Sequence, residues 1–439
     1  MTKKTTAILP PTDPKDKDFE YFIAAHMQAS GLYVERNIVD RDEVEYLELD
    51  IITSNYNPDS IKRHLVEIKS GKFHFNEVFK IKGWMEYLKE SNGIFVTKQT
   101  PDKFELYKNK ATCINIDLID NSNLKKTIEN LSKYFIRVPD EMVIQSILYS
   151  FMMENKMNQM IKHFKSSQRN KRCYENLDKY FHFINSASFF IREPNERTQE
   201  LFKHWTKNKN LTAKIAEELS NTRWRSLDPR LSRESYRSIF YDCTNTSLQV
   251  SLYVEHMARL TLIKTCVEYM ITCSNRNESA IIRWLEMSDL PKNIQNAVIE
   301  IRREPYFHCY PVFWQFFTHV MGGFILLDKL DLEYAYISKQ VGIPIEYIDQ
   351  AFSSYDKLFP VRDSWMKKPT NSSIRVLSFF PPLFQGIGAN HRRSMYLNMK
   401  EESPISLLSE QLSKDKTMSD LIKWNNLAYA VLSGEIGEY

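Results

Sequence analysis

Apolar side chains in the first hundred residues change period several times, and each change marks an element. Phe19, Phe22, Ile23, His26 and Met27 recur at i, i+3, i+4, i+7 and i+8, the spacing of one helical face. Asp18 is placed to cap the start of that helix and Gly31 to stop it. Three extended segments follow, at residues 33–39, 46–53 and 64–69, with Asn57-Pro58-Asp59 turning the chain after the second and Ser70-Gly71 closing the third. Helical spacing returns over residues 76–89, where Val78, Ile81, Met85 and Leu88 share a face. Asn92-Gly93 then breaks the helix, and Ile94-Phe95-Val96-Thr97 reads as a short buried strand. Residues 104–107 and 113–118 are expected to add edge strands. The predicted order is helix, three strands, helix, strand, an α/β unit spanning residues 16–120.

Beyond residue 120 the pattern is almost wholly helical. Segments 143–164, 175–190, 198–204, 211–220, 247–269 and 280–285 carry helical periodicity, and aromatic-rich helices continue through 405–412 and 418–432. Residues 1–15, with Pro10, Pro11 and Pro14 among polar side chains, read as a mobile leader. The expected organisation is a leader, an α/β domain at 16–120 and a large helical domain at 121–439.

Composition narrows the class. The chain has 439 residues, enough for two or three domains with sizeable cores, and only 11 glycines, which suits long helices over tight turns. No apolar run is long enough to span a membrane, and no apolar signal core follows Met1-Thr2-Lys3-Lys4, so a cytoplasmic protein is expected. Six scattered cysteines give no disulfide framework. Residues 1–120 hold 17 Lys and Arg against 20 Asp and Glu, whereas residues 121–439 hold 42 against 35. That asymmetry fits metal chemistry in the first part and polyanion binding in the second.

The chemistry concentrates in two strands. Leu49-Asp50-Ile51-Ile52 and Val66-Glu67-Ile68-Lys69 each set charged residues among apolar ones, where an unpaired charge is strongly disfavoured. Glu67 and Lys69 are two apart and project from one face of their strand. Asp50 comes from a segment able to lie alongside. Two carboxylates held together repel, and a hard divalent cation, Mg²⁺ or Mn²⁺, relieves that repulsion. Such a cation can activate water and neutralise a phosphodiester transition state, while a neighbouring ammonium stabilises developing charge.

The segment Leu47-Glu48-Leu49-Asp50-Ile51-Ile52, followed by Glu67-Ile68-Lys69 and flanked by helices in αβββαβ order, resembles the PD-(D/E)XK nuclease superfamily, the restriction-endonuclease-like fold. The likeness covers about residues 16–120. It implies metal-dependent cleavage of nucleic acid, DNA first, with Asp50 and Glu67 as metal ligands and Lys69 as the catalytic lysine. Many members also place a glutamate facing the site on the first helix, for which Glu20 at the border of the apolar face is the match as a further catalytic and metal-binding residue, and some place a Gln or Lys on the second helix, for which Lys80 and Lys82 both qualify. Leu49 stands where the family name has proline, a position that varies widely. The resemblance also suggests a setting in restriction or antiviral defence. The contrasting expectation is a nucleic-acid-binding or interaction protein that keeps this fold as a scaffold without catalysis.

Weaker signals lie in the helical part. Residues 332–358 have the form of a helix-turn-helix around Val341-Gly342-Ile343-Pro344, although the second helix offers Glu346, Asp349 and Gln350 where a DNA reader would be basic. Lys165, Arg169, Lys171 and Arg172 form one basic stretch, and Arg223, Arg225 and Arg230 around Trp224 form another, both suited to phosphate and base contacts. The helical part is therefore expected to bind nucleic acid, a protein partner or a second subunit. No phosphate-binding loop, nucleophile elbow or zinc-spaced cysteine pair appears.

Overall fold

The computed structural model describes residues 14–41, 45–98, 102–121, 123–164, 171–187, 193–208, 246–273, 278–360, 366–367, 374–377 and 381. It contains an N-terminal α/β region in α-β-β-β-α-β order followed by a large, mostly helical region. The chain divides into two compact units: the α/β unit takes Pro10–Leu148 together with Asn185–Glu193, and one border lies inside the helix Glu141–Phe164, between Leu148 and Tyr149.

The α/β unit is built on a five-stranded sheet of order β1-β2-β3-β4-β5: Tyr33–Arg41, Glu45–Tyr56, Ile61–Lys69, Gly93–Thr97 and Ile116–Asp120. β1, β2 and β3 are antiparallel, while β4 runs parallel to β3 and β5 parallel to β4. Parallel neighbours need a crossover, and α2 (Glu77–Leu88) and α3 (Phe104–Thr112) supply the two required. Val78, Ile81 and Met85 of α2 join Leu49, Ile52, Leu65, Phe95 and Leu118 of the sheet in one buried cluster. α1 (Asp16–Ala29) buries Phe19, Ile23 and Met27.

Several expected elements shift. α1 begins at Asp16, not after a cap at Asp18; Lys15 holds the cap position. Gly31 does end the helix region, with φ 98°, and a Cβ there would meet the Arg137 guanidinium at 3.0 Å. Residues 104–107 are not an edge strand but the start of α3. Their apolar side chains serve helical spacing, with Phe104 and Tyr107 packed on the core and Ala111 inside it. The last strand starts at Ile116 and not at Cys113.

The expected domain border at residue 120 marks the end of the sheet, but the compact unit continues to Leu148. The helix Leu124–Leu131 buries Thr127 and Leu131. Tyr134 donates to Asp117 at 2.7 Å, and the Arg137 N–H bonds Ser30 at 3.0 Å. These contacts tie the segment after β5 back onto the sheet and the end of α1.

In the helical unit, Phe313, Trp314 and Phe317 of the helix Tyr310–His319 pack around Phe352, with Tyr355 against Trp314. The helices expected at 143–164, 198–204, 247–269 and 280–285 appear as Glu141–Phe164, Pro194–Asn208, Thr246–Thr272 and Glu278–Met287. The one expected at 175–190 is Lys171–His182, followed by one wider turn, Phe183–Ala187. Those expected at 211–220, 405–412 and 418–432 lie outside the described residues, as does most of the leader. Among the described residues, no helix is long and apolar enough to cross a membrane, and Cys113, Cys266, Cys273 and Cys309 are free thiols.

Candidate active site

β2 and β3 part company where their carboxylates begin. Paired residues run from Tyr56↔Ile61 to Ile51↔Val66 and stop, while β3 continues to Lys69 alongside β4. Asp50 takes over with its side chain: Oδ2 accepts the Ile68 backbone N–H at 2.8 Å. A carboxylate thus replaces the carbonyl that a continuing ladder would have offered. On the other flank, β1 passes through a left-handed residue, Asn37 (φ 49°), between the pairings Arg36↔Ile51 and Ile38↔Leu49. Asp50 therefore sits at an irregular point of the sheet, half-buried between Leu49 and Ile51 of the core.

Glu67 lies at this parting of the strands. Its Oε1 takes the Lys80 ammonium of α2 at 3.4 Å, while its Oε2 is buried and has no hydrogen-bond partner among the described residues. Burial first, and then the Asp50 charge, push the Glu67 carboxyl up to about 8 despite Lys80. Glu20 of α1 behaves alike: burial, then Asp50, raise its carboxyl to about 7. Asp50 is also raised, by burial above all, although the Ile68 N–H pulls the other way. The three predicted carboxylates therefore act on one another electrostatically, so the fold brings Glu20, Asp50 and Glu67 into one acidic neighbourhood.

Helical phase sends the two lysines of α2 to different carboxylates. Lys80 pairs with Glu67 and lies 4.3 Å from the centre of the Trp84 ring, whereas Lys82 turns away to Glu86 at 2.7 Å. Lys69 shares the face of Glu67, but its ammonium is held by Glu77 at 2.8 Å. That hydrogen bond is the main reason its pKa is raised; Glu67 and Asp50 add smaller contributions.

Three contributors went unnoticed in the sequence. Glu48 adds negative charge felt by both Glu20 and Asp50. Its signal was available, since it lies two residues from Asp50 along a strand. Lys17 partly offsets both carboxyls from a position three residues before Glu20 on α1. Glu77 had no local signal, because its tie to Lys69 depends on how α2 lies against β3.

The donor set is hard oxygen, and it contains a buried carboxylate oxygen with no hydrogen-bond partner among the described residues; both features suit Mg²⁺ or Mn²⁺. Among the described residues, no three His, Cys, Asp or Glu side chains are grouped as a ready-made metal cage. Mg²⁺ seldom needs one, since one or two carboxylates completed by waters and substrate phosphates are its common arrangement. Asp50 and Glu67 are two such carboxylates.

Most of the basic residues expected to meet nucleic acid lie outside the described residues: Lys165, Arg169, Arg223, Arg225 and Arg230. Lys171 and Arg172 open the helix Lys171–His182. The segment expected to be a helix-turn-helix holds the helix Leu330–Val341, a left-handed Gly342 (φ 77°), a short turn Ile345–Tyr347 and the helix Ile348–Leu358. Glu346 and Asp349 are exposed on its second half, a charge that repels phosphate.

No protein-family model, curated protein or solved structure matches this chain.

Proposed function

We propose that the α/β unit is a metal-dependent nuclease of the PD-(D/E)XK kind, hydrolysing phosphodiester bonds in nucleic acid, with DNA as its first candidate substrate. The observation that carries this reading is the parting of β2 and β3, where Asp50 and the partnerless oxygen of Glu67 share one acidic neighbourhood with Glu20. A bound Mg²⁺ or Mn²⁺ would acidify the attacking water and neutralise charge on the phosphoryl oxygens. Asp50 would hold the cation with one oxygen while the Ile68 N–H keeps the other in place. Glu67 would release Lys80 and its proton to do the same, because a hard cation binds the carboxylate form. Lys69 would meet the charge that develops on the phosphate. Lys80, once released, becomes a second cation for the nucleic-acid backbone. Restriction or antiviral defence is the biological setting proposed with this reading, and the helical unit is its proposed site for nucleic acid, a partner or a second subunit.

The test is incubation of the full chain with plasmid, linear and single-stranded substrates in Mg²⁺, Mn²⁺ or EDTA. Cleavage that needs the metal supports the reading. One observation favours a scaffold without catalysis: Lys80 already compensates Glu67, as a cation-free protein would require. Nucleic-acid binding without cleavage in any metal would make that second reading the better one.

A further inference from the structure

If Lys69 acts as the nuclease reading proposes, its ammonium has to be held in place. Lys69 ends β3 with a side chain that is 40% exposed, so its flexible stem is free to sample many rotamers unless something fixes it. Glu77 stands eight residues later, at the first turn of α2. Its carboxylate is engaged at both ends: Oε1 takes the Lys69 ammonium at 2.8 Å and Oε2 accepts the His74 backbone N–H at 3.3 Å. The second bond reaches back from the first helical residue to the turn before α2, two residues ahead of the cap position Asn76. The carboxylate is therefore anchored before the lysine reaches it, and forming the pair orders mainly one side chain instead of two.

We propose that Glu77 is the positioning residue for Lys69, holding its ammonium at the edge of the carboxylate site with one N–H and leaving the other two for phosphate oxygens. An ammonium has three donors. With one fixed on Glu77 the remaining two have set directions, which is the alignment a transition-state stabiliser needs. A purely structural role, in which Glu77 serves only to begin α2, predicts different behaviour.

The experiment compares the full-length wild type with Glu77→Gln, Lys69→Ala and the double variant. Single-turnover plasmid cleavage in Mg²⁺ is read beside plasmid affinity in EDTA and the melting temperature. Glu77→Gln keeps an acceptor for His74 but loses the charge that holds the ammonium. It should slow cleavage by about 10- to 100-fold, leave affinity and melting nearly unchanged, and have no further effect in the Lys69→Ala background. Equal slowing in both backgrounds, or wild-type cleavage by Glu77→Gln, overturns the proposal. A second readout needs no activity: NMR of ¹⁵N-labelled lysine side chains, with the Lys69 signal assigned by its loss in Lys69→Arg. An ordered, exchange-protected ammonium that Glu77→Gln releases supports the tether; a signal unchanged by Glu77→Gln overturns it. If the wild type cuts nothing in any metal, the nuclease reading falls, and the NMR result still decides whether Glu77 holds the lysine.

Discussion

In the helical unit, Glu268 is fully buried and takes Arg197 at 3.4 Å and Lys264 at 3.7 Å. In the α/β unit, Glu67 is partly buried, receives one lysine at 3.4 Å and leaves an oxygen with no partner among the described residues. The contrast extends to neighbours. Glu255 is buried between the Arg259 guanidinium at 2.8 Å and the Trp205 indole N–H at 3.0 Å, and Glu154 faces His319 at 3.3 Å. Glu20, Asp50 and Glu67 instead act on one another electrostatically, and burial leaves each of them holding its proton more tightly than a free carboxyl. Buried charge that is compensated from within the chain is architecture. Buried carboxyls that hold their protons against one another are poised for something from outside the chain.

The comparison breaks most sharply at the acidic pair. Asp50→Asn and Glu67→Gln keep the size of each side chain and remove its charge. Each should reduce metal-dependent cleavage by at least ~10³-fold, the loss of a ligand exceeding that of a single electrostatic donor, while the melting temperature holds or rises. Undiminished cleavage by either variant would remove that residue from the site. Glu268→Gln should do the opposite. It leaves Arg197 and Lys264 buried without their shared anion and should cost roughly 3–5 kcal/mol of stability in denaturant unfolding. A change below about 1 kcal/mol would mean that Glu268 does not hold Arg197 and Lys264 in the helical unit.

Lys69→Ala comes next. Lysine does not ligate the cation, so metal binding by calorimetry should persist while the cleavage rate drops by about 10²–10³-fold. Parallel loss of both would make Lys69 a structural partner of the carboxylates instead. The smallest effect is the response to pH. Glu20 and Glu67 titrate near 7 and 8 in the folded chain, above the ordinary carboxyl value of 4.5. The folded state then binds more protons than the unfolded one between these values, so stability in EDTA should fall as pH rises from about 4.5 and level off above about 8. Mg²⁺ should restore it at the alkaline end, by about 2–4 °C for each kcal/mol of binding, and have little effect near pH 5. Melting curves at both ends, with Mg²⁺ and with EDTA, distinguish this from a simple salt effect.

The strands carrying Asp50 and Glu67 were legible because charge within an apolar run is a local signal, and the α/β order followed from the changing period. Helical phase, by contrast, was needed to separate Lys80 from Lys82, since two residues on a solvent-facing helix differ only in which way the packed face turns them. Residues 104–107 misled because four residues are too few to tell a strand from a helix; Ala111, one turn further on, carries the difference. The tie between Lys69 and Glu77 and the charges buried along Thr246–Thr272 were illegible for a common reason. Each depends on which elements meet, and the sequence around an arginine or glutamate looks the same whether it faces water or a partner. The border at residue 120 was read from a change in periodicity, whereas compactness follows contacts such as Tyr134 with Asp117, which the period does not encode.

The bond from Asp50 to the Ile68 amide makes that amide a natural gauge of the site. A proton held by a carboxylate leaves for solvent only when the bond opens, so its exchange with deuterium measures how firmly Asp50 is fixed. Ile68 itself is buried and its side chain takes no part in the chemistry, so it can be left unaltered. Following this single amide through a titration with Mg²⁺ would report occupation of the carboxylates in the unmodified protein, without substrate and without a label at the reacting centre.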